Sequence, residues 1–476
     1  MNPFLPPPFA EAKEECGVMA IYAPGRDAAR LIYYGLFALQ HRGQESAGIA
    51  AFDEHSLTVK KNQGLVSQVF SEADIESLSG PLAIGHNRYS TTGSSSSRNI
   101  QPFLIDSKYG PMALAHNGNL VNAGEIRIRL LDKGVGLTSA SDTELMIMDL
   151  AGSPKRLWMS RIKAAMGGWT GAFSFVLLTR EGVFAARDPW GLRPLAYGFT
   201  AEKAFVAASE TCALSTLGCR EIHEIEPGQI VFCDNKGRIS SDKLTGLKAK
   251  GIRQASCLFE FVYFSRPDSV WNGLSVHEVR RIFGARLAID SPVDADLVIP
   301  VPDSSISAAI GYSEASGIPY GEAFVKNRYI GRTFIEPSNF LRKRGVSLKF
   351  NVLTDSVRGK RIVVIDDSIV RGNTIRPLVA LLKNAGAREV HVRVSSPPVR
   401  FPCMMGVDMG ERKDLIANIL PLEDLAKWSG AESLAYLSLE AAGKAVGDLG
   451  AYCTACFSGE YPFDVDFSEA KDRFEF

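Results

Sequence analysis

Between residues 361 and 375 the chain reads RIVVIDDSIVRGNTI. Ile362, Val363, Val364 and Ile365 are consecutive and β-branched, the composition of a strand buried on both faces. Asp366 and Asp367 follow at once, then a turn at Gly372 and a helix beginning near Thr374. A strand of this kind that turns straight into a helix belongs to a parallel α/β sheet. In such sheets ligands bind outside the carboxyl ends of the strands. Loop N–H groups and a helix N-terminus suit a phosphate there. Carboxylates cannot hold the phosphate, but they accept bonds from ribose hydroxyls and help to hold Mg²⁺ on a pyrophosphate.

The surrounding pattern agrees. Apolar strands are predicted at 295–302, 319–325, 360–368 and 389–396, with helices at 305–316 and 374–386 between them. Residues 422–430 and 431–450 read as a helical end. The segment 325–346 gathers Lys326, Arg328, Arg332, Arg342, Lys343 and Arg344 among Gly and Pro breaks. A basic loop beside a phosphate site can close over a pyrophosphate and exclude water.

Upstream of about residue 250 the pattern is different. A strand is expected at 16–23, a helix over 27–43 ending at Gly43, and then many short strands in hairpins. Helices fit at 123–133, 142–150 and 155–166. Stacked antiparallel sheets with helical layers follow from that order. The Lys- and Gly-rich run TGLKAKG places the boundary near 245–255.

Lys+Arg and Asp+Glu both number 53, so no global charge attracts nucleic acid or an anionic membrane. No apolar run suggests a spanning helix. Residues 1–15 are acidic and Pro-rich, unlike a secretory signal. The expected compartment is the cytoplasm, where eight cysteines read as core, catalytic or metal residues. C-x-x-C at 453–456 is open between a zinc half-site, a redox pair and chance, and Cys257 and Cys403 stand alone in sequence.

Cys16 opens CGVMAIY directly after the tail. Further on stand LQHRGQESAG (39–48), HNRYSTTG (86–93), HNGNL (116–120) and SDTEL (141–145). Together these strings resemble the glutaminase domain of the N-terminal-nucleophile amidotransferases. A thiol attacks only as thiolate, and its free pKa is about 8.5. An α-amine titrates at about 7.7–8.0, so a cysteine that is also the first residue carries its own base. That requires removal of a propeptide, residues 1–15. The resemblance implies Cys16 as nucleophile, with the Asn117 side chain and the Gly118 N–H as oxyanion hole. It implies Arg88 on the glutamine α-carboxylate and Asp142 on its α-ammonium. Thr91 lies in the same loop, and Arg42, also assigned to the glutamine site, lies with Gly43 beside Cys16.

The string 361–375 resembles the phosphoribosylpyrophosphate (PRPP) loop of type I phosphoribosyltransferases. The segments CLFEFVYFSRPDS (257–269), PCMMGVD (402–408) and YCTACFSGEYP (452–462) look like cluster-ligand segments. Over nearly its whole length the chain therefore resembles the glutamine PRPP amidotransferases, in their iron–sulfur branch. The fold this implies is an α+β N-terminal-nucleophile (Ntn) hydrolase αββα sandwich over 16–250. An α/β type I phosphoribosyltransferase domain over 251–430 would follow, then a helical segment over 431–476 with cluster ligands. PRPP would be bound by Lys326, Tyr329, Arg332, Asp366, Asp367, Ser368, Arg371, Gly372, Asn373 and Thr374. Mg²⁺ would be held by Ser304, Asp366 and Asp367, and a 4Fe–4S cluster by Cys257, Cys403, Cys453 and Cys456. The implied reaction turns glutamine, PRPP and water into 5-phosphoribosylamine, pyrophosphate and glutamate, opening purine synthesis. A homo-oligomer, tetramer or dimer, with purine nucleotides as feedback inhibitors, is implied as well.

Asn87 and Thr92 depart from the family pattern, where an apolar and a small residue are expected. Two other readings fit less of the chain. A sugar-phosphate isomerase type of amidotransferase would lack the PRPP loop. A PRPP-sensing regulator would lack the glutaminase strings and carry a basic DNA-binding region.

Overall fold

The computed structural model describes residues 16–25, 27–89, 97–247, 251–327 and 349–465. Thr91, Thr92, Tyr329, Arg332, the tail 1–15 and most of the basic segment 325–346 lie outside the described residues.

Two antiparallel sheets make the first half. One has seven strands in the order Glu221–Glu224, Ala196–Phe199, Phe205–Ala208, Gly17–Tyr22, Leu82–Arg88, Ser46–Phe52, Leu57–Gln63. The other has six: Ile239–Lys243, Gln229–Asp234, Gly182–Arg187, Gly171–Thr179, Gly110–Leu120, Phe103–Ser107. The strand Gly17–Tyr22 shows why its alternation is weak in sequence. Val18, Ala20 and Tyr22 pack toward the second sheet, with Val176, Leu178 and Ala185. Met19 and Ile21 pack the other way, under the helix Ala28–Ala38. A strand buried on both faces needs no polar side. On the far side of the second sheet, Phe173, Phe175 and Leu177 meet the helices Ala123–Asp132, Asp142–Gly152 and Trp158–Met166. The layers run helix, sheet, sheet, helix, as expected of an Ntn sandwich.

The second half is built on a four-stranded parallel sheet in the order Leu297–Pro300, Arg361–Asp366, Glu389–Val394, Ser433–Tyr436. Ile362 and Val364 face one core, and Val363 and Ile365 the other. All four are fully buried. At about 1.5–3 kcal/mol for each buried side chain, this strand fixes where the following carboxylates stand.

Two expectations fail. Residues 319–325 do not add a long strand to this sheet. Only Tyr320 bridges to Val298, and Phe324–Lys326 pairs antiparallel with Phe350–Val352 in a separate ribbon. The end of the chain is not wholly helical either. Ser433–Tyr436 is an edge strand paired with His391–Val394, and within 431–450 the α-helix runs from Leu439 to Val446. Leu and Ala favour helix locally, and pairing with the neighbouring strand overrides that preference.

The boundary stretch has a second role. Ser256 and Cys257 pair in parallel with Tyr452 and Cys453, so the connector and the C-terminal region form a two-stranded ribbon. Around it Ala172, Trp190, Leu192, Ala255, Met405 and Ala455 make an apolar core shared by both halves.

Candidate active sites

Cys16 lies at the start of strand Gly17–Tyr22 and is buried. Its Sγ donates to the Tyr89 carbonyl at 3.5 Å. Burial pushes the thiol up to about 11, helped by Asp142 and Glu45 and opposed by the Tyr89 bond and Arg88. At neutral pH such a thiol reacts only if a base takes its proton.

Arg42 reaches the same residue from the turn after the first helix. Its Nε donates to the Cys16 carbonyl at 3.1 Å, and its Nη1 is 2.6 Å from Glu210. Nη2 lies 2.8 Å from Glu260 Oε1 and Nη1 3.0 Å from Oε2. The guanidinium is thus enclosed by protein groups and braces Cys16. Gly43, next in sequence, allows the turn to lie on the strand that ends in Arg88. A Cβ there would come within 2.7–2.8 Å of the Asn87 and Arg88 backbone. Asn87, which departs from the family pattern, donates its amide to the Leu36 carbonyl at 2.7 Å.

Strand Gly110–Leu120 carries the oxyanion candidates. Asn117 is 1% exposed, and its Nδ2 has no hydrogen-bond partner among the described residues. Gly118 has φ +140°, and a Cβ there would stand 2.0 Å from the Ala172 carbonyl oxygen, so no side chain fits. The Asp142 carboxylate accepts from the Leu120 N–H at 3.0 Å and lies 3.6 Å from His116 Nδ1. Burial works against its ionisation, but His116 and the Leu120 and Thr143 N–H groups outweigh it and hold the carboxyl below its usual range. Cys16, Arg88, Asn117, Gly118 and Asp142 come together at one end of the sandwich. The two sheets are joined there by a 3.2 Å contact from His86 Nε2 to the His116 carbonyl.

At the carboxyl edge of the parallel sheet, Asp366 and Asp367 are nearly buried. Asp367 accepts from the Ser368 hydroxyl at 2.7 Å and from the Ser304 hydroxyl, which arrives from the loop after the neighbouring strand. Ser304 therefore meets Asp367, with Asp366 the preceding residue at the end of the strand. Among the described residues no three His, Cys, Asp or Glu side chains are placed to hold one ion. Mg²⁺ in phosphate sites takes one or two carboxylates and completes its shell with water and phosphate, so this donor set fits it. Lys326 Nζ is 2.6 Å from Asp303 on the same rim. Arg371, Gly372 and Asn373 form the turn, and Thr374 immediately precedes the helix Ile375–Asn384.

The four cysteines of the second half also come together. Cys257 and Cys453 are paired across the ribbon, Cys456 follows one helical turn on, and the Cys403 thiol accepts from the Met405 N–H at 3.4 Å. Burial pushes the Cys257 thiol up to about 11 and raises Cys453 and Cys456 further, with Cys257 and Cys403 adding to the rise at both. A four-iron cluster takes one thiolate per iron, so its ligands need not crowd one point, and this donor set fits it.

Three residues that join the halves escape sequence reasoning: Glu210, Glu260 and Arg193. Glu210 accepts from Arg42, from the Ser269 hydroxyl at 2.7 Å and from the Arg266 N–H at 2.9 Å. Glu260 had a signal, being the lone carboxylate in the aromatic run Leu258–Phe264.

The glutamine amidotransferase domain family matches residues 86–216. An amidophosphoribosyltransferase of Synechococcus elongatus is 47% identical over 95% of this chain and 92% of its own. That of Bacillus subtilis is 44% identical over 95% of each. Among solved structures, the glutamine PRPP amidotransferase of B. subtilis complexed with ADP and GMP superposes with a TM-score of 0.89 at 42% identity. The match covers 96% of this chain and 100% of that one. Sharing the sandwich, the parallel sheet and nearly its full length with these relatives, the chain belongs to the amidophosphoribosyltransferase family.

Proposed function

We propose that the chain catalyses the first committed step of de novo purine synthesis. Glutamine, PRPP and water are converted to 5-phosphoribosylamine, pyrophosphate and glutamate. The observation that carries the glutaminase half is Asn117, a buried amide donor without an acceptor among the described residues, on a strand of the sheet that faces the one Cys16 opens. A donor left in that state costs about 1–3 kcal/mol, and an oxyanion would satisfy it.

Removal of residues 1–15 leaves Cys16 with a free α-amine. The amine takes the thiol proton, and Sγ attacks the glutamine side-chain carbonyl. Asn117 Nδ2 and the Gly118 N–H receive the oxyanion. Arg88 and Asp142 orient the α-carboxylate and α-ammonium. The intermediate collapses, the amine passes its proton to the leaving nitrogen, and ammonia departs. Water then cleaves the thioester to glutamate and regenerates the thiol.

In the second half the loop at 366–374 and Lys326 hold PRPP, with Tyr329 and Arg332 closing from the basic segment. Ammonia reaches the anomeric carbon, the bond to pyrophosphate breaks, and the amine loses a proton. Ser304, Asp366 and Asp367 would hold Mg²⁺, and the chemistry the ion would supply is neutralisation of charge on the leaving pyrophosphate. Cys257, Cys403, Cys453 and Cys456 would hold a 4Fe–4S cluster, which would staple the connector to the C-terminal region. All eight cysteines are free and no described helix is long and apolar enough to cross a membrane, in keeping with the cytoplasm. Purine nucleotides as inhibitors, and assembly into a dimer or tetramer, complete the reading.

Cys16→Ala tests the division of labour. It should retain residues 1–15, lose glutamine-dependent synthesis and keep ammonia-dependent synthesis. Loss of both in a folded variant would sink the two-site mechanism.

A further inference from the structure

The strand Gly110–Leu120 is paired on one edge with Gly171–Thr179 as far as Leu120. On its other edge the pairing with Phe103–Ser107 stops at Leu114. Two residues further, the register would set Gln101 against His116, but the chain has turned toward the other sheet. There the Lys61 ammonium donates to the Ile100 carbonyl at 2.5 Å and to the Pro102 carbonyl at 3.0 Å. Gly48 admits the bend, since a Cβ there would stand 2.1 Å from the Gln101 carbonyl oxygen. The Gln101 side chain, 4% exposed, reaches back, and its Oε1 accepts the His116 N–H at 2.7 Å. The His116 carbonyl accepts from His86 Nε2.

Backbone groups of an antiparallel strand turn to its two edges alternately, so residues two apart share an edge. The N–H groups of His116, Gly118 and Leu120 thus face the edge that has lost its strand. Side chains stand in for that strand on either side of Gly118, Gln101 at His116 and the Asp142 carboxylate at Leu120. The Gly118 N–H itself donates to no side chain or loop carbonyl among the described residues. A donor of this kind stabilises developing charge only if it is aimed before the charge forms. His116, held at both its N–H and its carbonyl two residues before, leaves Gly118 little room to turn.

We propose that Gln101 is a positioning residue of glutamine hydrolysis: it replaces a strand partner at His116 and so aims the Gly118 N–H at the oxyanion. The proposal rests on the reading of Gly118 as an oxyanion donor given above. In this role Gln101 touches neither substrate and acts through His116. The α-groups of glutamine are held by Arg88 and Asp142 in that reading, so loss of the Gln101 acceptor acts on turnover rather than on binding.

The test is kinetic. Gln101→Met keeps the bulk and removes the acceptor. Glutamine-dependent kcat should fall about tenfold, less than the roughly hundredfold or greater loss on removing an oxyanion donor outright. KM for glutamine should change less than about twofold. Ammonia-dependent synthesis, which does not use Gly118, should match wild type. Affinity for the aldehyde analogue of glutamine, which the Cys16 thiol turns into a tetrahedral adduct, should fall with kcat. Gln101→Glu keeps an acceptor at the same reach and should recover most of the loss. A wild-type kcat in Gln101→Met, a loss carried by KM alone, or an equal loss in ammonia-dependent synthesis overturns the proposal. Wild-type protein that releases no glutamate from glutamine overturns the glutaminase reading itself, and this proposal with it. Should Gln101→Met fail to fold, the wild type decides. Its His116 amide must exchange with deuterium as slowly as the ladder amide of Leu114, read residue by residue by mass spectrometry, and fast exchange overturns the proposal.

Discussion

The Asn119 side-chain amide donates to the Met404 carbonyl at 2.8 Å, across 285 positions of sequence. Asn119 follows Asn117 and Gly118, the oxyanion residues of the proposed mechanism, and Met404 follows Cys403. The contact is reinforced at Gly406, where a Cβ would stand 2.9 Å from the Gly118 carbonyl carbon. The loop that carries one cysteine of the second half is thus laid directly against the strand Gly110–Leu120 of the first.

Gly406→Ala should therefore injure the glutaminase half more than the transferase half. Gly406 has φ +99°, so the new methyl group meets both backbone strain and Gly118. A loss of more than about 1 kcal/mol of stability is expected. Glutamine-dependent turnover should fall further than ammonia-dependent turnover, and an equal fall in the two assays would contradict the contact's role.

Asp367→Asn should cripple phosphoribosyl transfer from either nitrogen source. The charged acceptor of the Ser304 and Ser368 hydroxyls is removed, at about 1.5–3 kcal/mol. That corresponds to roughly a tenfold to hundredfold loss in kcat/KM for PRPP. Unchanged PRPP kinetics would remove this carboxylate from the site.

Glutamine-dependent kcat/KM should rise with pH on a limb near the ordinary α-amine range, about 7.7–8.0. The base must be neutral to accept the proton, and the thiol, pushed up to about 11 by burial, stays protonated until it does. Ammonia-dependent synthesis, corrected for the fraction of free ammonia, should lack that limb. A shared limb in both profiles would place the titrating group elsewhere.

Acid should loosen the junction of the halves. Burial, the largest influence, pushes the Glu210 carboxyl up, but His41 and Arg42 together outweigh it and hold it well below the ordinary range. Its folded pKa is thus depressed. The stability it contributes is present above the unfolded value of about 4.3 and is lost as pH falls toward the folded one. Glu210→Gln should lower Tm at neutral pH and flatten the decline below about pH 5. A decline as steep as in wild type would show that other carboxylates govern it.

Much of this was legible in the chain. Ile362–Ile365 announced a strand buried on both faces, and Asp366 and Asp367 stand at its carboxyl edge as that pattern requires. The glutaminase strings were legible because each is short and local. The edge strand Ser433–Tyr436 was hidden because its four residues are only partly covered and give no alternation. Glu210, Glu260 and Arg193 were hidden for another reason. A charged residue reads as solvated until its partners are known, and theirs lie 168 and 218 positions away for the two bonds to Arg42.

The ribbon of Ser256–Cys257 with Tyr452–Cys453 also imposes an order on biosynthesis. Its first strand leaves the ribosome long before its second exists. Until Tyr452–Cys453 has been made, Cys257 has no neighbour across the ribbon, and the loop at Met404–Gly406 lacks the support of Ala455 in the shared apolar core. The strands of the amino-terminal sandwich can pair during translation. The junction that presses on its strand Gly110–Leu120 cannot, so the earliest-made candidate site waits on some of the latest-made residues.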